Sequence, residues 1–302
     1  MLKKLSNTEP VSQPIRSAIF ELLGCMPLFH PEDALERTLE VIDVLNGSFT
    51  SFMENLLSSP FWQCVDYPDC PYKVLCIDLA QEIDRIATQK IEPAYHSRRH
   101  FKDVCLMISY LLMQESGKLF EQPASNLWVT SPQEKWLLLL AAIAHDFHHP
   151  GLINRIPYEI EKNSLTVLGQ FLSQKNMDCD LKNLVMDRMY PWVMATDPAV
   201  YAQLLTKVSG DDVSHENCLA MLLVEADLFA SSLPIKGQIL ATRLAKEWRV
   251  NNPDGANAVD GIEGRLTFLR KIRFISPYAI AVGAEKMRLS SINKLEDLKF
   301  RD

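Results

Sequence analysis

Glycine is scarce in this chain, 11 residues in 302. Tight turns draw on glycine for left-handed backbone, so its scarcity argues against a turn-rich β architecture. Cysteine occurs seven times, an odd number, with no Cys-x-x-Cys pair. Cys64, Cys70 and Cys76 are evenly spaced, but no nearby histidine completes a zinc site. They read as reduced core or surface thiols of a cytoplasmic protein. Long hydrophobic runs are also missing. The longest, residues 136–144, is far short of the roughly 20 residues that span a bilayer. The amino terminus carries two lysines but no apolar segment after them, so neither a signal peptide nor a membrane partner is expected. Positive charge is in deficit, 31 Lys and Arg against 38 Asp and Glu, a net charge of −7. That weighs against a nucleic-acid polymer as partner, since such proteins present a basic face.

What remains is a globular composition, 47% hydrophobic and 23% charged, with helical periodicity nearly throughout. Apolar residues recur at three- and four-residue spacing over 15–24 and 33–57. Residues 64–73, CVDYPDCPYK, hold two prolines and read as a loop. Helical pattern resumes from 74 to about 87. Ser131-Pro132-Gln133-Glu134 opens a helix, with serine as cap, proline at the first turn and glutamate completing a capping box. That helix is expected over 132–146. Others are expected near 164–175, 181–195, 198–208, 215–230 and 234–249. Residues 251–261 read as a loop, followed by a last amphipathic helix over 262–275. The expectation is an all-α fold. Residues 1–73 form an N-terminal helical extension packed on the core, and residues 74–302 the main unit, together one continuous globular body.

Five of the seven histidines fall in two short segments. In YHSRRHFKDV, residues 95–104, His96 and His100 are four apart and would share a helix face, with Asp103 on the same side. In AHDFHHPGLIN, residues 144–154, His145 and Asp146 close the most apolar helix, and His149 follows four residues after His145. A lone histidine is usually a hydrogen-bonded structural residue. Two clusters, each with an acid able to ligate a cation or orient a ring, point to metal. Asp227, within the apolar LLVEADLFASSLP (222–234), offers a further donor, because an unpaired acid on a core-facing helix is costly. Glu225 points elsewhere on that helix and reads as a solvated side chain. Asp197, after Thr196 and before Pro198, reads equally as a helix cap and as a site residue.

Taken in order, YHxxxHxxDV, AHDxxHPGxxN, ATD and EADL resemble the catalytic domains of class I cyclic nucleotide phosphodiesterases, of the HD metal-dependent phosphohydrolase superfamily. The resemblance covers about residues 75–280. It implies a compact multi-helix bundle and a phosphodiesterase acting on a small-molecule 3′,5′-cyclic nucleotide. It implies that His100, His145, Asp146 and Asp227 hold a first divalent metal, zinc, manganese or iron. Asp146 would bridge to a second, magnesium or manganese, held largely by water. Hydroxide activated by the metals would attack phosphorus in line, and His96 would protonate the leaving 3′ oxygen. Asp103, His149, Asn154 and Asp197 match positions behind the ligands or beside the phosphate. Mixed imidazole and carboxylate donors suit zinc, and a water-rich carboxylate site suits magnesium or manganese.

This sequence departs from the family mainly where substrate is handled. Ser97 replaces an asparagine, and His148 stands where a second acid is common. A Glu-x-His-His segment has no counterpart in NSLTVLGQFL (163–172), and Phe229-Ala230 replaces Ser-Asn. Arg265 or Leu266 falls near the place of the purine-reading glutamine, and an arginine offers donors only. The expectation is that Arg265 and Phe268, three apart, line the substrate pocket and discriminate poorly between cyclic AMP and cyclic GMP. The alternatives are an HD-type hydrolase of another phosphoester, or a metal-binding regulatory module with weak turnover.

Overall fold

The computed structural model describes residues 9–24, 30–65, 67, 70–114, 123–175, 177–210 and 213–299. Among them there are sixteen α-helices and no strand. The first five are α1 (Glu9–Leu22), α2 (Pro31–Leu45), α3 (Phe49–Leu57), α4 (Pro60–Cys64) and α5 (Pro71–Gln89). After α6 (Arg98–Leu112) and α7 (Pro132–Ala144) come α8 (Glu159–Ser173), α9 (Cys179–Met194), α10 (Tyr201–Ser209) and α11 (His215–Ser232). The last five are α12 (Pro234–Trp248), α13 (Pro253–Val259), α14 (Gly261–Lys271), α15 (Pro277–Val282) and α16 (Ala284–Lys299).

Three helices make the centre. In α7 every residue from Trp136 to Ala144 is buried, and α6 and α11 are buried over most of their circumference. A helix apolar all round has to be wrapped by others. Here α6 packs on α11 and α7, α5 on α7, and α9 and α12 on α11. Ile15, Leu35 and Phe52 of the N-terminal helices belong to the same continuous core as Leu139 and Leu222. Among the described residues no single helix is long and apolar enough to cross a membrane.

The capping box at Ser131 forms as the sequence reads. Its hydroxyl accepts from the Glu134 amide at 3.2 Å, and its own amide donates to Glu134 Oε2 at 2.9 Å. Other elements differ from expectation. The stretch 33–57 is two helices, because Asn46 turns left-handed (φ 40°) to close α2 and Ser48 caps α3. Residues 251–261 are not all loop: the Asn252 side chain accepts from the Gly255 amide and starts α13. The helix expected over 262–275 stops at Lys271, and two more helices follow, α15 and α16.

Candidate active site

The site forms where the carboxyl end of α7, the first turns of α6 and the middle of α11 meet. Two elements set α6 in place. The Arg98 side chain pairs with Asp84 of α5 at 2.9 Å and with Glu92 at 2.9 Å. Asp84 in turn accepts from the Phe49 and Thr50 amides of α3. Because α6 begins at Arg98, His96 is not on the helix with His100 but in the turn before it. Likewise α7 ends at Ala144, with His145 still in helical conformation and Asp146 in the following turn.

Donor atoms of His100, His145 and Asp146 lie within 4.8 Å of one another, and Asp227 approaches the two imidazoles from α11. His100 Nε2 lies 3.2 Å from Asp146 Oδ2 and 3.1 Å from Asp227 Oδ1. His145 Nε2 lies 3.1 Å and 3.7 Å from the same two oxygens. Donors bound to one cation at about 2.0–2.2 Å stand roughly 3–3.6 Å from each other, so these separations fit a shared ion. Hydrogen bonding reinforces the point. His145 Nδ1 faces the Ala142 carbonyl at 2.9 Å, which makes Nδ1 the protonated nitrogen and leaves a lone pair on Nε2. Although it is buried and close to both carboxylates, Nε2 has no hydrogen-bond partner. His100 Nε2 thus reaches both carboxylates, while His145 Nε2 makes no hydrogen bond to either.

Charge follows the same logic. Burial pushes the Asp146 and Asp227 carboxyls up, but the surrounding imidazoles outweigh it and hold both well below the ordinary range. Burial pulls His100 down, yet its hydrogen bonds to Asp146 and Asp227 and their charge push it up to about 9. Against burial, the same two carboxylates push His145 up as well, so they draw positive charge to the centre, either as imidazolium or as a cation bound in its place.

Beside this cluster stands His96. Its Nε2 is 4.0 Å from Asp146 Oδ2, and its ring stacks on His149 with centroids 3.5 Å apart. Burial first, and then the neighbouring His96, bring His149 down to about 3, so it is a neutral ring. His96, Asp146 and His149 form a second group with donor atoms close together. His96 is oriented by a residue absent from the sequence reading, Glu247 of α12. Its Oε1 is 2.5 Å from His96 Nδ1, and its Oε2 accepts from the Tyr95 and His96 amides at 2.7 and 3.0 Å. Burial raises the Glu247 carboxyl, but those bonds and the His96 ring bring it below its ordinary value. Gly151 (φ +72°) permits this packing, since a Cβ there would sit 3.3 Å from Glu247 Cγ and from Pro93. The only hint in the sequence was an acid in a helix otherwise ordinary in its charges.

The other named residues take quieter places. Asp103 is fully buried, and its Oδ2 lies 2.8 Å from Lys236 Nζ, which also reaches Asp43. It ties α6 to α12 through that pair. Asn154 accepts from the Ile160 amide and donates to Glu161. Asp197 caps the turn at Pro198 through the Ala199 amide and also accepts from the Tyr158 amide. Glu225 is not solvated. It is buried and accepts from the Ile275 and Ser276 amides at 2.6 and 2.9 Å. Burial pushes its carboxyl up to about 7 against those bonds. Thr196 bonds the Val193 carbonyl.

Two cavities flank the site. One, of about 320 Å³, is lined by His96, Asp146 and His149 together with α5 and the 90–93 segment. The other, of about 920 Å³, lies between residues 150–155, α8 and the α12–α13 turn. Arg265 and Phe268 of α14 line neither. Arg265 is buried, donating to the Leu233 carbonyl at 2.9 Å, to Pro234 at 3.2 Å and to Gln238 at 3.4 Å. Phe268 packs half-buried against the core.

Known proteins place this arrangement. Residues 95–168 match the profile of the family described as 3'5'-cyclic nucleotide phosphodiesterase. The whole fold is similar to the structure of LmjPDEB1 in complex with IBMX (TM-score 0.63, 16% identity), over 96% of this chain and 98% of that one. It is also similar to the phosphodiesterase domain of the RhoPDE fusion protein from the choanoflagellate Salpingoeca rosetta. There the TM-score is 0.55 and the identity 16%, over 82% and 99% of the two chains. A second structure, the phosphodiesterase domain of Salpingoeca rosetta rhodopsin phosphodiesterase, gives 0.53 and 17%, over 82% and 95%. Among curated proteins none matches the sequence. Residues 95–168 thus resemble that family in sequence, and the chain shares an all-helical fold with those phosphodiesterase domains.

Proposed function

We propose that the chain hydrolyses a 3′,5′-cyclic nucleotide at the His100–His145–Asp146–Asp227 cluster, with His96 as proton donor. The observation that carries the reading is the clustering of the His100, His145 and Asp146 donor atoms, with Asp227 beside both rings and an oriented imidazole next to them. Those four residues would hold a first divalent cation, zinc, manganese or iron. Asp146 would share a second, magnesium or manganese, on the side of His96 and His149. Bound there, the cations would offer Lewis acidity to the phosphoryl oxygens and a nucleophile at neutral pH.

The chain's own residues do the rest. Glu247 fixes the His96 ring through Nδ1, so Nε2 is the nitrogen free to face substrate. As the phosphorus–O3′ bond breaks, the proton on Nε2 passes to the departing oxygen. Glu247 keeps the ring turned for that transfer. His149, neutral and stacked on His96, keeps water from that face of the ring. Asp103, Asn154 and Asp197 hold the helices and loops that carry these groups.

A hydrolysis screen of the Mn²⁺-loaded protein against cyclic AMP, cyclic GMP and other phosphoesters tests the reading. Release of the 5′ monophosphate is expected. Turnover only of non-cyclic phosphoesters would favour the wider HD-type hydrolase, a reading to which the inward-turned Arg265 lends weight. No turnover with full metal occupancy would leave a regulatory metal module.

A further inference from the structure

The α14 wall cannot read a base in the way its position suggests. The Arg265 guanidinium is spent on two backbone carbonyls and Gln238, and α14 lines neither cavity beside the site. Where, then, does the body of the substrate lie? With Nδ1 held by Glu247, His96 can deliver a proton only from Nε2. The leaving oxygen must come within hydrogen-bond reach of that nitrogen. In a cyclic nucleotide, sugar and base hang on the same few bonds, so the base must enter a cavity continuous with His96 and Asp146. The smaller cavity meets that condition, and the larger one touches neither residue.

We infer that the base lodges in the α5 slot, between the Ile83–Ile86–Ala87 face and the His96–His149 stack. This rests on the cyclic-nucleotide reading above. The three α5 residues are three and four apart and form one apolar strip. An aliphatic strip opposite an aromatic pair suits a flat ring. The volume, about 320 Å³, falls at the small end of ligand sites, which run about 300–1,000 Å³. At the rim, Lys90 is exposed and makes no ion pair among the described residues. An ammonium donates and cannot accept, so it favours a base edge rich in acceptors, such as the O6/N7 edge of guanine. A single flexible donor at an exposed rim makes that preference slight.

The test is binding of cyclic GMP and cyclic AMP to the Mn²⁺-loaded full chain by calorimetry, with metal content and unfolding midpoint measured in parallel. Ala87→Trp fills the slot and should raise both Kd values at least tenfold at unchanged metal content. Ala87→Met, which suits a helix, should raise them by less. Lys90→Glu, at an exposed position, should weaken cyclic GMP about twice as much as cyclic AMP. Thr267→Trp, exposed on α14, should change neither. The inference is overturned if wild type binds neither nucleotide, if the α5 variants bind as wild type does, or if Thr267→Trp is the variant that loses binding. Binding lost in the α5 variants, with no hydrolysis by wild type, would sink the proposed activity and keep the slot. Hydrolysis with unchanged KM in those variants would do the reverse.

Discussion

Helices α7 and α11 pack together and carry an imidazole and a carboxylate at both ends. At the amino end Glu134 of α7 meets His215 of α11 at 2.8 Å. About eleven residues on, His145 and Asp227 meet at 3.7 Å. The residue types are the same and the states are opposite. At the first end all polar atoms are occupied. Glu134 also takes Arg188 at 2.7 Å and the Ser131 amide, and His215 Nδ1 faces the Leu127 carbonyl at 2.8 Å. At the second end His145 Nε2 is buried with no hydrogen-bond partner. The first pair is a staple for the helix starts, and the second is the pair we propose as metal ligands. Composition cannot separate the two. The way the lone pairs are spent does.

The largest expected effect therefore lies at the ligand end. Asp227→Ala should lower bound metal to well under one equivalent and cut turnover by on the order of 10³-fold, since outer partners alone cost about 10–100-fold. Metal analysis of the purified variant checks it, and an unchanged metal content would make the two ends alike after all. Next comes His96→Ala. It should keep its metal and lose roughly 10²–10⁴ in kcat, with a smaller loss on a nitrophenyl ester whose leaving group needs no proton. Glu247→Gln should give a milder loss in kcat, about 10–100-fold, with the same dependence on leaving group. Equal losses on both ester types would remove the proton-donor role from His96.

The ligand end was legible because its spacing is local: His145 and Asp146 are adjacent, and His96 and His100 are four apart. Glu247 was not, because it reaches His96 across 151 residues of chain. In AKEWRV it looks like one more charge on an amphipathic helix. Glu225 was misread for a related reason. Helical phase alone puts it off the Asp227 face, yet the chain after α14 folds back and lays the Ile275 and Ser276 amides on it. The fold class followed from periodicity. What periodicity could not show was where a helix is cut by a left-handed residue such as Asn46, or that α15 and α16 close the bundle after Pro277.

A fourth test concerns Arg265, a satisfied group where a pocket residue was expected. Arg265→Gln installs the side chain that the resemblance to cyclic nucleotide phosphodiesterases leads one to expect near this position. It should not create a base reader. It should leave the Leu233 and Pro234 carbonyls short of donors and lower stability by about 1–3 kcal/mol. The kcat/KM ratio for cyclic AMP over cyclic GMP should stay below about 100-fold, near 2.7 kcal/mol, before and after the change. A switch to strong purine preference in the variant would show that α14 reads the base.

The smallest effect belongs to the staple. Both His215 nitrogens face acceptors, a carbonyl and a carboxylate already bonded to Arg188, so the ring must be an imidazolium to satisfy both. Burial pulls its pKa down, but the Leu127 carbonyl and Glu134 more than offset this and leave it above the ordinary value, despite Arg188 nearby. A histidine whose pKa is raised on folding adds stability that is fully present below its unfolded value, about 6.5. That stability fades as pH rises through the folded value. His215→Gln keeps a donor but loses the charge. The gap in unfolding midpoint between wild type and variant should therefore be widest below about pH 6.5 and close in alkaline buffer. The ring is 35% exposed and solvent screens the pair, so the gap should correspond to less than about 1 kcal/mol. Metal content should be equal in the two proteins at every pH where both are folded. A gap that widens with pH would mean the ring is neutral in the fold. Metal lost with the charge would mean that the staple sets the register of the ligands as well as the helix starts.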